Sequence, residues 1–193
     1  MSNRVLFWLD AEPTAFCIAY YLKKIHDTDF FTLVDVTNRQ KSFFQSQKLV
    51  EFKKTWFYHD VMNQKIKSEP DYLKSFEEKY DIDLWKLAKN DRIFIYNYNP
   101  YHKFPKQEIS EIMEKECKLF EEVLEQVKPD FLITTETALR QHHLFYLICK
   151  NQGLDFFKIR NLMRDNYKRN DDIPSAGFTA GPCLLKDTMQ LSS

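Results

Sequence analysis

QEISEIMEKECKLFEEVLEQVKPDFLITTETALRQHHLFYLICKNQGLDFFKIR, residues 107–160, reads as helix, strand, helix, strand. Ile109, Ile112, Met113, Phe120, Val123, Leu124 and Val127 recur at helical spacing with charges between them, the mark of an amphipathic helix. Pro129 stops that helix, because proline lacks a donor and restrains the residue before it. Phe131, Leu132, Ile133 and Thr134 follow as a short apolar run. Thr135, Glu136 and Thr137 are turn-prone and open a second helix, which Gly153 is placed to end. Residues 154–159 form another apolar run. This alternation is the α/β repeat that builds a parallel sheet.

The amino-terminal part repeats the pattern. Residues 4–9 read as a buried strand, 10–14 as a turn, and 30–36 as a second strand. Between them Ala15, Ile18, Ala19, Leu22 and Ile25 share a helical face, with Thr14 as the expected cap and Pro13 blocking an earlier start. Residues 38–90 differ, being rich in Lys, Gln, Glu and aromatics and free of glycine. They are expected to be a helical insertion, with helices near 39–54 and 71–89 broken around Ser68, Glu69 and Pro70. Residues 92–96 are expected as a third strand. After residue 160 the chain turns polar, and its end has no clear periodicity. No internal repeat is visible.

Composition narrows the function classes. A chain of 193 residues suits one α/β domain with an elaboration. Lys plus Arg and Asp plus Glu are both 28, so there is no global basic field of the kind that displaces counterions from nucleic acid. Cys17, Cys117, Cys149 and Cys183 show no metal or redox spacing, and three lie in apolar context where a thiol is usually buried filler. No stretch is long enough to span a bilayer, and a reducing, cytoplasmic setting is the simplest expectation. No Gly occurs before Gly153, which argues against a glycine-rich dinucleotide loop or a P-loop. No Asp/His cluster has ligand spacing, so neither a metal nor another cofactor is called for.

Ligands of open α/β sheets bind beyond the carboxyl ends of the strands. Three segments are expected there: Asp10 and Glu12, the loop 97–102 with Tyr98, Tyr101 and His102, and Thr134, Thr135, Glu136 and Thr137. Aromatic faces beside hydroxyl-binding groups suit a sugar, with its apolar ring face and polar rim. Each residue also has a purely structural reading. Glu12 complements a helix dipole, Asp10 caps local amides, the aromatics form satellite core, and the threonines are natural caps. His142 and His143 point about 100° apart on one helix, so one is expected to pack and the other to meet solvent. Either is also a candidate acid/base or substrate-binding group. Glu116 sits on the apolar side of its helix, beside Met113 and Phe120.

Four runs carry a resemblance: Pro70-Asp71-Tyr72-Leu73 with Phe76 to Trp85; Tyr98-Asn99-Pro100-Tyr101-His102-Lys103-Phe104; Val127-Lys128-Pro129-Asp130-Phe131-Leu132-Ile133; and His142-His143-Leu144-Phe145-Tyr146. Together they look like the amino-terminal half of capsule-polysaccharide-type proteins, surface-carbohydrate glycosyltransferases of the two-domain GT-B architecture. The resemblance covers roughly residues 4–165. It implies a Rossmann-like parallel sheet with helices on both faces over 1–165, and an irregular tail or interdomain segment over 166–193. It also implies an acceptor-side domain that contacts a sugar or polysaccharide acceptor at the cytoplasmic face of the inner membrane. Asp10 or Glu136 would be the catalytic acid or base, and Glu12, Tyr98, Tyr101, His102, Thr135 and His142 would contact substrate. The nucleotide-sugar site of that family lies in a second, carboxy-terminal domain. Because 193 residues hold only one such domain, the expectation is a truncated chain, half of a split enzyme with a partner subunit, or a non-catalytic module that binds a partner or small ligand.

Overall fold

The computed structural model describes residues 3–26, 28–66, 69–95, 101–134 and 139–154, with backbone alone at positions 39 and 70. Among the described residues four strands form one sheet, β1 (Arg4–Leu9), β2 (Asp29–Val34), β3 (Lys54–Phe57) and β4 (Phe131–Ile133), in the order β3-β2-β1-β4. Every pairing is parallel. The helices are α1 (Thr14–Ile25), α2 (Asn38–Ser46), α3 (Tyr58–Met62), α4 (Pro70–Tyr80), α5 (Leu84–Lys89), α6 (Lys106–Val127) and α7 (Arg140–Asn151). This is a Rossmann-like α/β fold, with strand order reversing between β1 and β4 as the chain moves from one side of the first strand to the other.

The alternation along each strand sorts the core into two layers, because successive side chains leave opposite faces. Leu6 and Trp8 of β1, Leu33 of β2 and Trp56 of β3 join Phe120, Val123, Leu124, Leu144, Phe145 and Ile148 of α6 and α7. Val5, Phe7 and Leu9 join Phe30 and Val34 of β2 and Ala15, Phe16 and Ala19 of α1 on the other face. Both faces of the sheet are therefore covered, which is why β1 is apolar from Val5 to Leu9 rather than alternating.

Helix α6, about 33 Å long, buries Met113, Cys117, Phe120, Leu124 and Val127 along one stripe. It ends where Lys128 takes a left-handed conformation before Pro129. Gly153 ends α7 as expected. Its φ is +86°, the Gly153 amide donates to Lys150, and the Leu154 amide donates to Cys149 at 3.0 Å. That pair of bonds is a Schellman motif.

Several expectations needed correction. The third strand is not 92–96. Residues 92–94 form a turn held by the Asp91 carboxylate, which accepts from the Ile93 amide at 2.8 Å, while Tyr96 lies outside the described residues. The third strand is Lys54–Phe57, inside the block expected to be helical. It has four residues and among the described residues pairs only with β2, and neither length nor alternation marks it in the sequence. The helix expected over 71–89 is two. Asp81 is left-handed at φ 52°, and Asp83 then caps α5 by accepting the Lys86 amide at 2.7 Å. Thr14 is the first residue of α1 rather than its cap, which is Pro13. Ile18 and Ile25 are 40% and 70% exposed, because Ala15, Phe16 and Ala19 carry the packing instead. Cys17 is exposed, whereas Cys117 and Cys149 are buried filler. The apolar run 131–134 is expected beside β1 or next but one to it and away from an edge; it pairs with β1 in parallel, yet β4 is an edge strand among the described residues. The strand expected at 154–159, beyond Leu154 itself, and the tail 166–193 lie outside the described residues.

Candidate functional site

The carboxyl ends of the four strands bring together groups from distant parts of the chain. The β1 end carries Asp10, whose Oδ1 accepts the Glu12 amide at 2.8 Å, a local turn bond that also orients the carboxylate. The amide of Asp35, just past β2, donates to Leu9 at 2.7 Å and so extends the ladder to this edge. β3 passes directly into α3, placing Tyr58 and His59 there. Thr134 follows β4, with its hydroxyl buried and unpaired among the described residues.

Asp35 is the centre of the cluster, with a side chain only 11% exposed. His59 Nε2 lies 3.1 Å from its Oδ1, and the His59 ring is 44% exposed. From the first turn of α7, Gln141 Nε2 donates to Asp35 Oδ2 at 3.4 Å and His142 Nε2 lies 3.6 Å from the same oxygen. His142 is buried edge-on against Trp8, their ring centres 4.4 Å apart. A carboxylate orienting a solvent-facing imidazole is the arrangement of a general base.

Behind this cluster lies a buried ionic network. Arg140 Nη1 and Nη2 both bond Glu116, the latter at 2.8 Å, and Arg140 Nε donates to Asp91 Oδ2 at 2.6 Å. The Tyr58 hydroxyl donates to the same Glu116 carboxylate. Arg140, Glu116 and Asp91 side chains are 6%, 0% and 7% exposed. Burial, followed by the adjoining Glu116 charge, pushes the Tyr58 hydroxyl well above the ordinary tyrosine range, so it stays a donor. Burial alone would weaken the Arg140 charge, but Glu116 outweighs it and the guanidinium is held above its usual value. The network ties the start of α7, and with it Gln141 and His142, to α6 and to the start of α3. Glu116, expected on an apolar helix face, is thus fully buried and paired.

The other expected site residues separate. His142 reaches the cluster, and of the two histidines it is the one that packs, while His143 stacks on Tyr146. His102 pairs with Glu108 at 2.9 Å and meets the Phe104 ring at the start of α6, and Tyr101 is 95% exposed. Tyr98, Thr135 and Glu136 lie outside the described residues. Sequence reasoning missed Asp35, which it absorbed into a strand run to residue 36, and His59, which lay in the supposed insertion. The available signal for Asp35 was its place: an acid at a strand end, as Asp10 is.

Beside the cluster a cleft of about 1060 Å³ runs between α5 and α7. Gln141 lines it, as do Lys86, Asn90, Leu87, Leu147 and Lys150. Among the described residues no group of three His, Cys, Asp or Glu is placed to hold a metal, and no helix is long and apolar enough to cross a membrane. Comparison of the chain with protein-family models, curated proteins and solved structures finds no match.

Proposed function

We propose that this domain is the acceptor side of a sugar transferase in surface or capsular polysaccharide synthesis, with His59, oriented by Asp35, taking the proton of the acceptor hydroxyl. The observation that carries the reading is the 3.1 Å His59–Asp35 contact at the carboxyl edge of a parallel sheet, with the His59 ring half in solvent. A hydroxyl becomes a competent nucleophile only as its proton leaves, and an oriented imidazole does that near neutral pH. Asp10 stands on the same edge and is the second candidate for the role, as Glu136 is from the sequence. The resemblance of residues 70–85, 98–104, 127–133 and 142–146 to capsule-polysaccharide-type proteins supports the sugar class. The lack of a glycine-rich phosphate loop before Gly153 supports a donor held by another unit, in a second domain or a partner subunit. Work at the cytoplasmic face of the membrane belongs to the same proposal.

The test is to replace the chromosomal copy by His59→Ala or Asp35→Asn and measure surface polysaccharide and protein level together. Both variants are expected to lose the polysaccharide at unchanged protein level. Wild-type polysaccharide in both would overturn the reading. A second reading, a non-catalytic module that binds a partner, is favoured by one observation: Ile18, Tyr21 and Ile25 make an exposed apolar stripe on α1.

A further inference from the structure

We infer that the cleft between α5 and α7 binds a short acidic oligosaccharide and leads it to Asp35 and His59; this rests on the acceptor-side reading given above. Its shape comes from two helical stripes. Leu139, His143, Leu147 and Lys150 recur at three- and four-residue spacing on one wall, and Asp83, Lys86, Leu87 and Asn90 do so on the other. Along α7 the cleft spans about 16 Å, from Arg140 to Asn151 at 1.5 Å per residue. Its volume of about 1060 Å³ is at the upper end of small-ligand pockets, which suits several linked rings better than one sugar.

The charge of the ligand follows from which groups are already engaged. Asp91 is held by Arg140 at 2.6 Å and by the Ile93 amide, and Asp83 accepts the Lys86 amide. The Asp91 charge is therefore matched internally, whereas Asp83 gives one oxygen to the helix cap. Lys86 and Lys150 are exposed on opposite walls, and among the described residues neither ammonium makes a hydrogen bond or ion pair. Two exposed carboxylates, Asp81 and Asp83, lie at one end of the cleft, the latter engaged through Oδ1 at the start of α5. Ile82, Leu87 and Leu147 give an apolar floor for ring faces, and the Asn90 and Gln141 amides can donate to and accept from hydroxyls. A hydroxyl-rich chain with carboxylate substituents matches all three features, whereas a neutral one leaves both lysines unmet. Direction comes from Gln141, which lines the cleft and bonds Asp35 at 3.4 Å. The end of a bound chain therefore lies one side chain, Gln141, from Asp35, which in turn contacts the proposed base His59.

The experiment titrates the full chain with tetragalacturonate and, separately, with neutral maltotetraose, by calorimetry at low and at physiological salt. Tetragalacturonate is expected to bind at least tenfold more tightly and to weaken with salt. Lys86→Gln with Lys150→Gln is expected to raise its Kd about tenfold, as for two partly exposed charge contacts. Lys74→Gln, an exposed lysine outside the cleft, is expected to change nothing. Equal affinity for the two saccharides, no binding of either, or full affinity in the double variant would overturn the inference. The outcomes separate from those of the functional test. Loss of polysaccharide in the His59 and Asp35 variants with no tetragalacturonate binding would reject the cleft and keep the base. Lysine-dependent binding with wild-type polysaccharide in those variants would do the reverse.

Discussion

Arg140→Met is the most informative single change. The guanidinium is 6% exposed and serves two carboxylates, Glu116 at 0% and Asp91 at 7%. Methionine roughly fills the stem volume, so the change isolates the charge. It strands a wholly buried Glu116 with the Tyr58 hydroxyl as its remaining partner in this network, together with a nearly buried Asp91. Removing one partner of a buried pair costs roughly 3–5 kcal/mol, against a total stability of about 5–15 kcal/mol for a domain. Urea unfolding followed by fluorescence of Trp8, Trp56 and Trp85 would read this as a large fall in midpoint with an unchanged slope. Glu116→Gln in the Arg140→Met background should recover part of the loss, since the stranded charge is gone; a coupling of about 0.5–3 kcal/mol is expected. A loss below about 1 kcal/mol for Arg140→Met is the signature of an exposed pair. That result would refute the buried network and its role in fixing the start of α7.

Four further outcomes are expected. Tyr58→Phe removes a neutral donor to the buried Glu116 carboxylate and should cost about 1.5–3 kcal/mol by the same unfolding assay. Phe120→Ala, at 0% exposure between Trp8 and Phe145, should cost about 3–5 kcal/mol. Burial works to raise the Glu121 carboxyl, but bonds from Lys79 at 2.6 Å, Tyr72 at 2.7 Å and Tyr80 at 3.0 Å outweigh it and hold it below its ordinary value. Its tie between α4 and α6 is therefore complete above the unfolded carboxylate range and is lost as pH falls through the lower folded value; Glu121→Gln should flatten that part of the acid-unfolding curve. Burial pushes the Cys149 thiol up to about 12 and raises Cys117 as well, so in a Cys183→Ser background a thiol reagent at pH 8 should label Cys17 alone until the chain unfolds.

The sequence by itself determined the elements whose signals are local. The seven apolar positions of α6, the stop at Pro129 and the C′ glycine at 153 are statements about neighbours in the chain, and the structure repeats them. The apolar runs of β1 and β4 likewise marked two strands of a parallel sheet, though the place of β4 at an edge among the described residues was not in the sequence. What it did not determine were features that exist only once distant segments meet. β3 is four residues that become a strand because β2 offers an open ladder, and no periodicity in Lys54, Thr55, Trp56 and Phe57 announces that. Ile18 and Ile25 looked like core by spacing, yet the short side chains of Ala15 and Ala19 set which face of α1 meets the sheet. The site followed the same division. Asp10 and His142 were visible as chemistry at a strand end and on a helix, whereas Asp35 and His59 are 24 residues apart in sequence and become a pair only because β2 and β3 lie side by side and end together. Burial of Glu116 and Arg140 was also decided by the tertiary structure. Each charge is tolerable in the interior only in the presence of the other, and a linear sequence does not state that proximity.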